Sequence, residues 1–428
     1  PGYRQGRATV ITEQSLQKAF LFRQPIVSRQ QELAGYQLLL RSAEAGGDER
    51  QQNLTTAALC AAYLELGMQS ALGNNCAYLG ITPDFLQQEA LELLPAAGVV
   101  LELLLDRPPD KTVQIRCRCL RDRGYVLALG DYRGIDDRSR PLLPMVDVIK
   151  IDARTTDQRT LANLAGSLRN LPIKLLAQGV DSRELLERCR NLGFALFQGR
   201  HFAQAEIVSG RRLSASQAAL IRLINLVGRD VDVALIEDAF KHEPALTLNL
   251  LRVVNSVGHR GNRLSQPVTS LRHAINLFGR RHLQRWLSLL LLAPGSASSD
   301  PTQSPLLQVA ALRGRMMELL IAVDPSGENG RLADLAFMTG ILSMMPAALG
   351  LPIDEILGQI AVEDEVRAAL CHHAGLLGGI LALLERFDND DASGCDELLG
   401  QLPGHLDRQT LNTCLSVALR WLNGNGGQ

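Results

Sequence analysis

The stretch Val-Asp-Val-Ile-Lys-Ile-Asp at residues 146–152 is a short apolar run, rich in β-branched residues, that ends in an acidic side chain. Seven further runs of this type occur in the first half of the chain, alternating with longer stretches of helical pattern. The eight runs are residues 20–27, 35–40, 76–81, 99–104, 125–129, 146–151, 173–177 and 195–198. Eight strands alternating with helices over roughly 200 residues predict a closed β/α barrel rather than an open doubly wound sheet.

The second half of the chain has a different pattern, with helical spacing and few strand signals after residue 210. Ser214 precedes a first apolar helical face and is a suitable N-terminal capping residue. That face consists of Leu220, Leu223, Ile224 and Val227. The segment 294–305, PGSASSDPTQSP, has the composition of a loop. The sequence therefore predicts a barrel domain at residues 1–207 and an all-helical domain at residues 208–428.

The composition is that of a soluble globular protein, with 46% hydrophobic and 21% charged residues among 428. Because 44 Lys and Arg oppose 45 Asp and Glu, there is no global field that would attract nucleic acid or an anionic membrane. The longest apolar run, residues 289–293, is far shorter than the roughly 20 residues that span a bilayer. We therefore expect no nucleic-acid partner and no membrane insertion.

The cysteines give no sign of a disulfide framework or a zinc site. Eight cysteines in a chain of this length are sparse, which favours a reducing cytoplasm. Cys117 and Cys119 form a C-x-C pattern without a second pair nearby to complete a zinc tetrahedron. We predict that both are ordinary strand residues.

The ends of the predicted strands carry motifs that resemble the EAL domain, the family that hydrolyses the bacterial messenger cyclic di-GMP. Residues 23–26, RQPI, resemble its opening Q-P-I motif, residues 149–152 its K-I-D motif, and residues 197–199, FQG, its closing Q-G-Y motif. Residues 35–41, GYQLLLR, stand where the family has E-A-L-x-R, so Gln37 replaces the glutamate of the signature. The resemblance implies a TIM-like (β/α)8 barrel with its site at the strand C-termini.

The resemblance also implies that most of the metal ligands of this family are absent. Catalysis in the family uses a pair of divalent cations, which require several carboxylate or carbonyl oxygens. Non-acidic residues stand at family ligand positions, namely Gln37, Gly80, Gly130 and Gln178. The acidic positions that remain are Glu102, Asp131, Asp152 and Asp181. Because so few acids cannot hold two divalent ions, we expect a degenerate EAL domain with no metal, no cofactor and no phosphodiesterase activity.

Nucleotide binding without hydrolysis is a separate question. By resemblance, four residues stand at positions that face the nucleotide or its phosphates: Gln24, Arg41, Lys150 and Gln198. A cationic side chain at a barrel rim is often simply part of an ion pair, here with Asp131 or Asp152. Since loss of the metals removes charge compensation for two phosphates, cyclic di-GMP binding is open but not favoured.

The second half of the chain resembles the HDOD domain, a relative of the HD metal phosphohydrolases that lacks their metal site. The most specific stretches are residues 241–246, KHEPAL, and residues 250–256, LLRVVNS. HD families place a His-Asp pair in a helix after a glycine, whereas Ser343 and Met344 occupy that place after Gly340. The resemblance therefore implies that the centre of the metal site is absent from the helical domain.

These patterns together predict a non-catalytic cytoplasmic regulator or scaffold of cyclic di-GMP signalling, acting through other signalling proteins or a homodimer. One alternative is an active cyclic di-GMP phosphodiesterase with a single-metal site formed by Glu102, Asp131 and Asp181. Another is an effector that binds cyclic di-GMP without hydrolysing it. Turnover of cyclic di-GMP tests the first alternative, and titration calorimetry with cyclic di-GMP tests the second.

A nucleic-acid-binding function is the remaining hypothesis, because basic residues cluster in one part of the helical half. They are Arg272, His273, Arg280, Arg281, His282 and Arg285. The aromatic partners that single-strand stacking requires are scarce, with Trp286 standing among leucines. We therefore expect a solvated basic face beside a core tryptophan.

Overall fold

The structure is a computed structural model that describes most of the two halves of the chain. The described residues are 19–41, 56–199 except 57 and 65, 215–260 except 230, 268, 270–292, 305–323, 330–403 except 361, and 405–423. The predicted domain boundary at 207/208, Ser214 and most of the predicted loop 294–305 lie outside these residues.

Eight strands close into a barrel in sequence order, which confirms the predicted (β/α)8 fold. The strands are β1 (Phe20–Ser28), β2 (Leu33–Arg41), β3 (Cys76–Ile81), β4 (Val99–Leu103), β5 (Val126–Leu129), β6 (Val148–Asp152), β7 (Lys174–Gln178) and β8 (Leu196–Gln198). Each of the eight apolar runs forms a strand, because each is short, rich in apolar residues and bounded by polar or turn residues.

The first strand departs from an all-parallel barrel. Strand β1 runs antiparallel to β2 and β8, while β2 to β8 are parallel to one another. Only residues 29–32 join β1 to β2, and a parallel pair needs a crossover of about a dozen residues. Consequently the first half of β1 lies at the same end as the carboxyl ends of the other strands, with Phe20 opposite Arg41. We call this end the barrel mouth.

The helices of the barrel domain include one that corrects a prediction. They are α1 (Met68–Leu72), α2 (Pro83–Leu86), α3 (Lys111–Asp122), α4 (Gln158–Leu168) and α5 (Arg183–Asn191). Cys117 and Cys119 lie in α3, so their assignment to a strand is wrong. Asp110 accepts a hydrogen bond from the Val113 amide at the start of this helix, and Val113, Cys117 and Leu120 bury one face at helical spacing.

The second half is all helical in its described residues, as predicted. Its helices are α6 (Ala215–Gly228), α7 (Val233–Lys241), α8 (Pro244–Arg260), α9 (Leu271–Phe278), α10 (Arg280–Leu292), α11 (Pro305–Ala322), α12 (Gly330–Leu342), α13 (Met345–Leu349), α14 (Ile353–Gln359), α15 (Asp364–His372), α16 (Gly375–Asp388), α17 (Ala392–Leu399) and α18 (Arg408–Leu422). Helices α11 and α12 cross closely at two glycines: a Cβ added to Gly340 would lie 2.6 Å from the Gly314 Cα.

The two halves share a packed interface along β1. The Asn412 side chain of α18 accepts a hydrogen bond from the Leu21 amide at 2.8 Å and donates one to the Ala19 carbonyl at 2.9 Å. Next to it, the Phe387 ring at the end of α16 lies 5.0 Å from the Phe22 ring. Through these contacts the end of α16 reaches the barrel mouth.

Two helical stretches pass a composition test for membrane spans, residues 331–349 and 364–388. Within the protein, 50% of the first window and 44% of the second are buried, and core helices of soluble proteins pass the same test. This evidence for a membrane span is weak.

Candidate functional site

The centre of the barrel holds a buried cation that joins three strands. The Lys150 ammonium on β6 donates hydrogen bonds to Gln37 Oε1 on β2 at 2.8 Å and to Glu102 Oε2 on β4 at 3.2 Å. The residues are 4%, 3% and 4% exposed, respectively. The structure therefore places Lys150 beneath the mouth, paired with Glu102 rather than with the two aspartates considered from the sequence.

Two glycines at predicted ligand positions leave space that neighbouring side chains fill. A Cβ added to Gly130 would lie 2.6 Å from Glu102 Oε1 and 3.1 Å from Leu104 Cδ2. One added to Gly80 would lie 3.0 Å from Leu104 Cδ1. The side chains of Glu102 and Leu104 thus occupy the volume that larger residues at these positions would need.

The described residues do not fit a pair of divalent ions. Among them, no three His, Cys, Asp or Glu side chains converge as a metal site requires. Asp131 is paired with Arg133 at 2.9 Å, and Asp181 lies 3.8 Å from the Arg154 guanidinium. Glu102 is already engaged by the buried ammonium. We therefore assign no step of the chemistry below to a metal ion.

The barrel mouth contains a cavity of about 350 Å³ between the two domains. Its lining from the barrel is Gln24, Pro25, Arg41, Arg154, Gln178, Gly179, Asp181 and Gly199. Its lining from the helical domain is Arg313, Asp388, Asn389 and Asp390. Four residues proposed from the sequence, Gln24, Arg41, Gln178 and Asp181, are thus brought together, along with two arginines that the sequence did not indicate.

Other predicted residues lie outside this cavity. Gly130 and Asp131 line a separate depression, so the structure does not bring Asp131 together with Asp181. Asp152 ends β6, and its carboxylate accepts hydrogen bonds from the amides of residues 154 and 155, which makes it a turn residue. Gln198, 1% exposed, lies beneath the mouth and donates a hydrogen bond to Gln24 Oε1.

A carboxylate from the helical domain completes this row of side chains. Gln24 Nε2 donates a hydrogen bond to Asp390 Oδ2. Burial raises the pKa of Asp390 to about 6; the Gln24 hydrogen bond and the Arg41 and Arg23 charges oppose this rise, and the Asp388 charge adds to it. The Asp390 backbone has φ 57°, a left-handed conformation that aspartate tolerates better than most residues. Sequence reasoning missed Asp390, which lies 366 positions from Gln24.

A buried guanidinium links Ser343 to the end of α16. Arg313 of α11, 9% exposed, donates to Ser343 Oγ at 2.8 Å. Its Nε and Nη2 both donate to Asp388 Oδ2, at 3.0 and 2.7 Å. Met344, which follows Ser343 in the sequence, is buried, at 3% exposure. The cation therefore fixes the end of α16, from which Asp390 extends to the barrel.

Three arginines of the basic cluster in the helical domain form ion pairs within the protein. Arg272 pairs with Glu237 at 2.7 Å, and Arg281 and Arg285 pair with Asp334 at 2.8 and 2.6 Å. Trp286 packs edge-on against a phenylalanine ring of α9. These contacts do not favour the nucleic-acid hypothesis, because phosphate binding would have to compete with carboxylates already in place.

Two curated relatives align with nearly the whole chain. The cyclic di-GMP phosphodiesterase CdgJ of Vibrio cholerae is 27% identical over 418 residues, covering 96% of this chain and 93% of that protein. The uncharacterized protein YuxH of Bacillus subtilis is 26% identical over 416 residues, covering 94% of this chain and 98% of that protein.

Solved structures of EAL proteins are more distantly similar. The manganese and cyclic di-GMP complex of BlrP1 from Klebsiella pneumoniae is 23% identical, covers 43% of this chain and 55% of its own, and has a TM-score of 0.36. The EAL domain of FimX from Xanthomonas citri, in complex with cyclic di-GMP, is 18% identical, covers 47% of this chain and 94% of its own, and has a TM-score of 0.37.

The prediction of a non-catalytic regulator without enzymatic activity is wrong. The finding that overturns it is the relative from Vibrio cholerae, which is named a cyclic di-GMP phosphodiesterase and aligns over 96% of this chain. The prediction counted carboxylates only as metal ligands and did not consider the arrangement of Asp181 beside the Arg154 guanidinium in the mouth cavity.

Two family models match the chain in order. The EAL domain model matches residues 81–205, beginning at the last residue of β3, and the HDOD domain model matches residues 214–343. The observed closed barrel and the helical second half agree with this order. The chain belongs to the proteins in which an EAL domain is followed by an HDOD domain.

Proposed function

We propose that this chain is a cyclic di-GMP phosphodiesterase that takes its substrate at the barrel mouth, between an EAL domain at residues 1–207 and an HDOD domain at residues 208–428. The observation that carries the proposal is the 350 Å³ cavity, which places Arg41 and Arg154 at the carboxyl ends of the strands. Barrel enzymes place their sites at this end, and guanidinium groups bind phosphates through paired hydrogen bonds. The likeness to the relative named as a phosphodiesterase supports the hydrolytic part.

The side chains of the mouth divide into phosphate-binding and positioning groups. Arg41 and Arg154 are exposed and are the cations that would contact the two phosphates. Gln24 and Gln178 contribute neutral amides that can donate or accept hydrogen bonds with the bases and ribose hydroxyls. Lys150 does not contact the substrate; it holds Gln37 and Glu102 together beneath the mouth.

Asp181 is the carboxylate that we assign to proton transfer. It is half-buried, lines the cavity and lies 3.8 Å from the Arg154 guanidinium. A carboxylate beside a phosphate-binding arginine is placed to accept a proton from a water that attacks the phosphodiester. Removing its charge while keeping its shape should lower turnover without removing the arginines.

The test is turnover of cyclic di-GMP to the linear dinucleotide by the full chain, followed by chromatography with magnesium, with manganese and with chelator. Wild type should hydrolyse the substrate, and Asp181→Asn should reduce turnover by roughly 100-fold, as expected for loss of a general base. Asp131→Asn is the matched control, because Asp131 lies in a different depression. Binding in calorimetry without turnover under any condition would contradict the hydrolytic part of the proposal.

Partners and location are proposed separately. We infer a cytoplasmic location from the eight cysteines, all of which are free thiols. For a partner of signalling type or a second copy of this chain, the outer barrel offers exposed apolar side chains, with Leu93 at 69% and Ile115 at 61% exposure. Light scattering of wild type and Ile115→Glu measures whether this surface forms a homodimer.

A further inference from the structure

The turn at residues 388–391 is the only described segment of the helical domain whose carboxylates line the mouth cavity. It begins at Asp388, which the buried guanidinium of Arg313 holds through two hydrogen bonds. It ends at Asp391, whose side chain accepts a hydrogen bond from the Gly394 amide and caps α17. Because both ends are fixed, the Asp390 side chain is presented to the barrel in a defined position.

A continuous row of contacts runs from the helical domain into the barrel. Ser343 accepts from Arg313, Arg313 binds Asp388, and two residues later Asp390 accepts from Gln24. The row continues as Gln198 donates to Gln24 Oε1 inside the barrel. The place where HD relatives carry metal ligands is thereby connected to the nucleotide side of the EAL barrel.

The Asp390 carboxylate at the end of this row lies near two arginines that could also bind a substrate phosphate. Arg41 and Arg23 both stabilise the ionised form of Asp390, so the carboxylate lies within their electrostatic reach. A phosphate of the substrate is likewise an anion that requires these cations. The Asp390 carboxylate and a substrate phosphate therefore compete for the same region of positive potential.

The contact between Asp390, Gln24 and Gln198 leaves two acceptor oxygens without a hydrogen bond from the described residues, so this contact can be displaced. Asp390 Oδ1 and Gln198 Oε1 are both buried and have no hydrogen-bond partner among the residues that the structure describes. A buried acceptor without a donor raises the free energy of the state that contains it. Withdrawal of the Asp390 carboxylate into water relieves this cost for its own unpaired oxygen.

We propose that residues 388–391 form an autoinhibitory latch, in which the Asp390 carboxylate occupies the place of a substrate phosphate and must withdraw before cyclic di-GMP binds. The identity of the ligand rests on the proposed function, whereas the latch itself rests on the contacts of Asp390 with the barrel. Arg313 is a positioning residue, since it holds the turn and does not reach the substrate.

The latch has a pH dependence that follows from its charged neighbours. The groups that face Asp390 are Arg23 on β1, Arg41 on β2 and Asp388 at the end of α16, with Gln24 as its neutral donor. Its pKa of about 6 means that the carboxylate is ionised at neutral pH and protonated below pH 6. Because the pKa is raised where Asp390 is buried against the barrel, this position favours the protonated side chain, so the latch strengthens as the pH falls through about 6.

The first test compares cyclic di-GMP binding by full-length wild type and Asp390→Gly in titration calorimetry. Glycine removes the acceptor that Gln24 binds and adopts the left-handed backbone without strain, so the fold should be retained. If the open state is populated at about 10%, releasing the latch lowers the apparent Kd by roughly tenfold. Wild type should bind progressively more weakly than the variant as the pH falls through about 6, and the variant should lack this pH dependence. Equal or weaker binding by Asp390→Gly would overturn the latch.

The control and a second measurement separate the latch from the proposed function. Glu355→Gln removes one exposed negative charge from α14 and should leave the Kd unchanged. Hydrogen exchange of the amides at residues 388–392 needs no nucleotide and should be several-fold faster in Gln24→Ala, which removes the donor to Asp390, than in wild type. If neither protein binds cyclic di-GMP but exchange is faster, the proposed function fails and the latch stands. Unchanged exchange contradicts the latch whatever the nucleotide does.

Discussion

The Lys150 ammonium lies 3.2 Å from Glu102 Oε2, and both side chains are only 5% exposed. This ion pair crosses the barrel interior from β6 to β4 and is supported by the Gln37 amide oxygen. Two opposite charges in such a site depend on each other, because either one alone would be buried without compensation.

Removing the Lys150 ammonium alone should therefore lower the stability of the fold. We expect Lys150→Met to lower the free energy of unfolding by about 3–5 kcal/mol, because Glu102 would remain buried and unpaired. The double variant Lys150→Met with Glu102→Gln should recover much of this loss. Urea denaturation measures both, with Lys174→Met at the exposed start of β7 as the control. A loss no larger than that of the control would contradict the mutual dependence of the buried pair.

The hydrogen bonds of Asn412 with β1 should make the two domains unfold together in one cooperative transition. Asn412→Ala leaves the Leu21 amide and the Ala19 carbonyl without their partner, at about 1–3 kcal/mol for each buried group. We expect a lower unfolding midpoint and separation of one calorimetric transition into two. Thr413→Ala, on the exposed side of the same helix, should keep a single transition. One unchanged transition in Asn412→Ala would show that other contacts suffice.

The crossing of α11 and α12 predicts opposite effects for one substitution at two helical glycines. Gly340→Ala places a Cβ 2.6 Å from Gly314, so the helices must separate and stability should fall by roughly 1–3 kcal/mol, as for overpacking. Gly358→Ala meets no atom within 4 Å and should raise stability by about 0.5–1 kcal/mol through helix propensity. Thermal denaturation of the two variants provides the measurement. Equal effects would argue against a tight crossing.

The raised pKa of Asp390 predicts a pH-dependent stability term of definite sign. The folded state binds this proton with a pKa of about 6, against 3.8 for the ordinary side chain, so folding favours the protonated form. The contribution to stability is therefore fully present below pH 4 and is lost as the pH rises to about 6. Asp390→Asn should flatten this part of the profile in thermal unfolding between pH 4 and pH 7. An identical slope in both proteins would assign the pH dependence to other groups.

The sequence was sufficient for the elements whose signals are local. The eight strands follow from short apolar runs, and the helical half follows from apolar residues at helical spacing. The antiparallel direction of β1 also has a local cause, because the four residues between β1 and β2 cannot form a crossover. The alternation of strands and helices in the rest of the barrel half predicted parallel strands throughout. Cys117 was misassigned because its spacing to Val113 and Leu120, the signature of an amphipathic helix, was not weighed.

The candidate site was only partly predictable, because its contacts span large sequence separations. Lys150 and Glu102 are 48 positions apart, and Gln24 and Asp390 are 366 apart. No periodic pattern encodes such pairs, which depend on how the barrel closes and on where α16 meets β1. For this reason the sequence indicated Gln24 and Arg41, which line the mouth cavity, but not the acidic turn opposite them.

The packing of Phe387 of α16 against β1 determines which form of this protein is suitable for assay. Phe20 and Phe22 are fully buried, and the Phe387 ring forms part of their cover. A fragment ending near residue 207 lacks Phe387 and would expose both rings to water. Such a truncated barrel should self-associate during purification through this exposed aromatic surface. Attempts to assay the EAL portion by itself would then report the behaviour of an aggregate, and the intact polypeptide is the appropriate reagent.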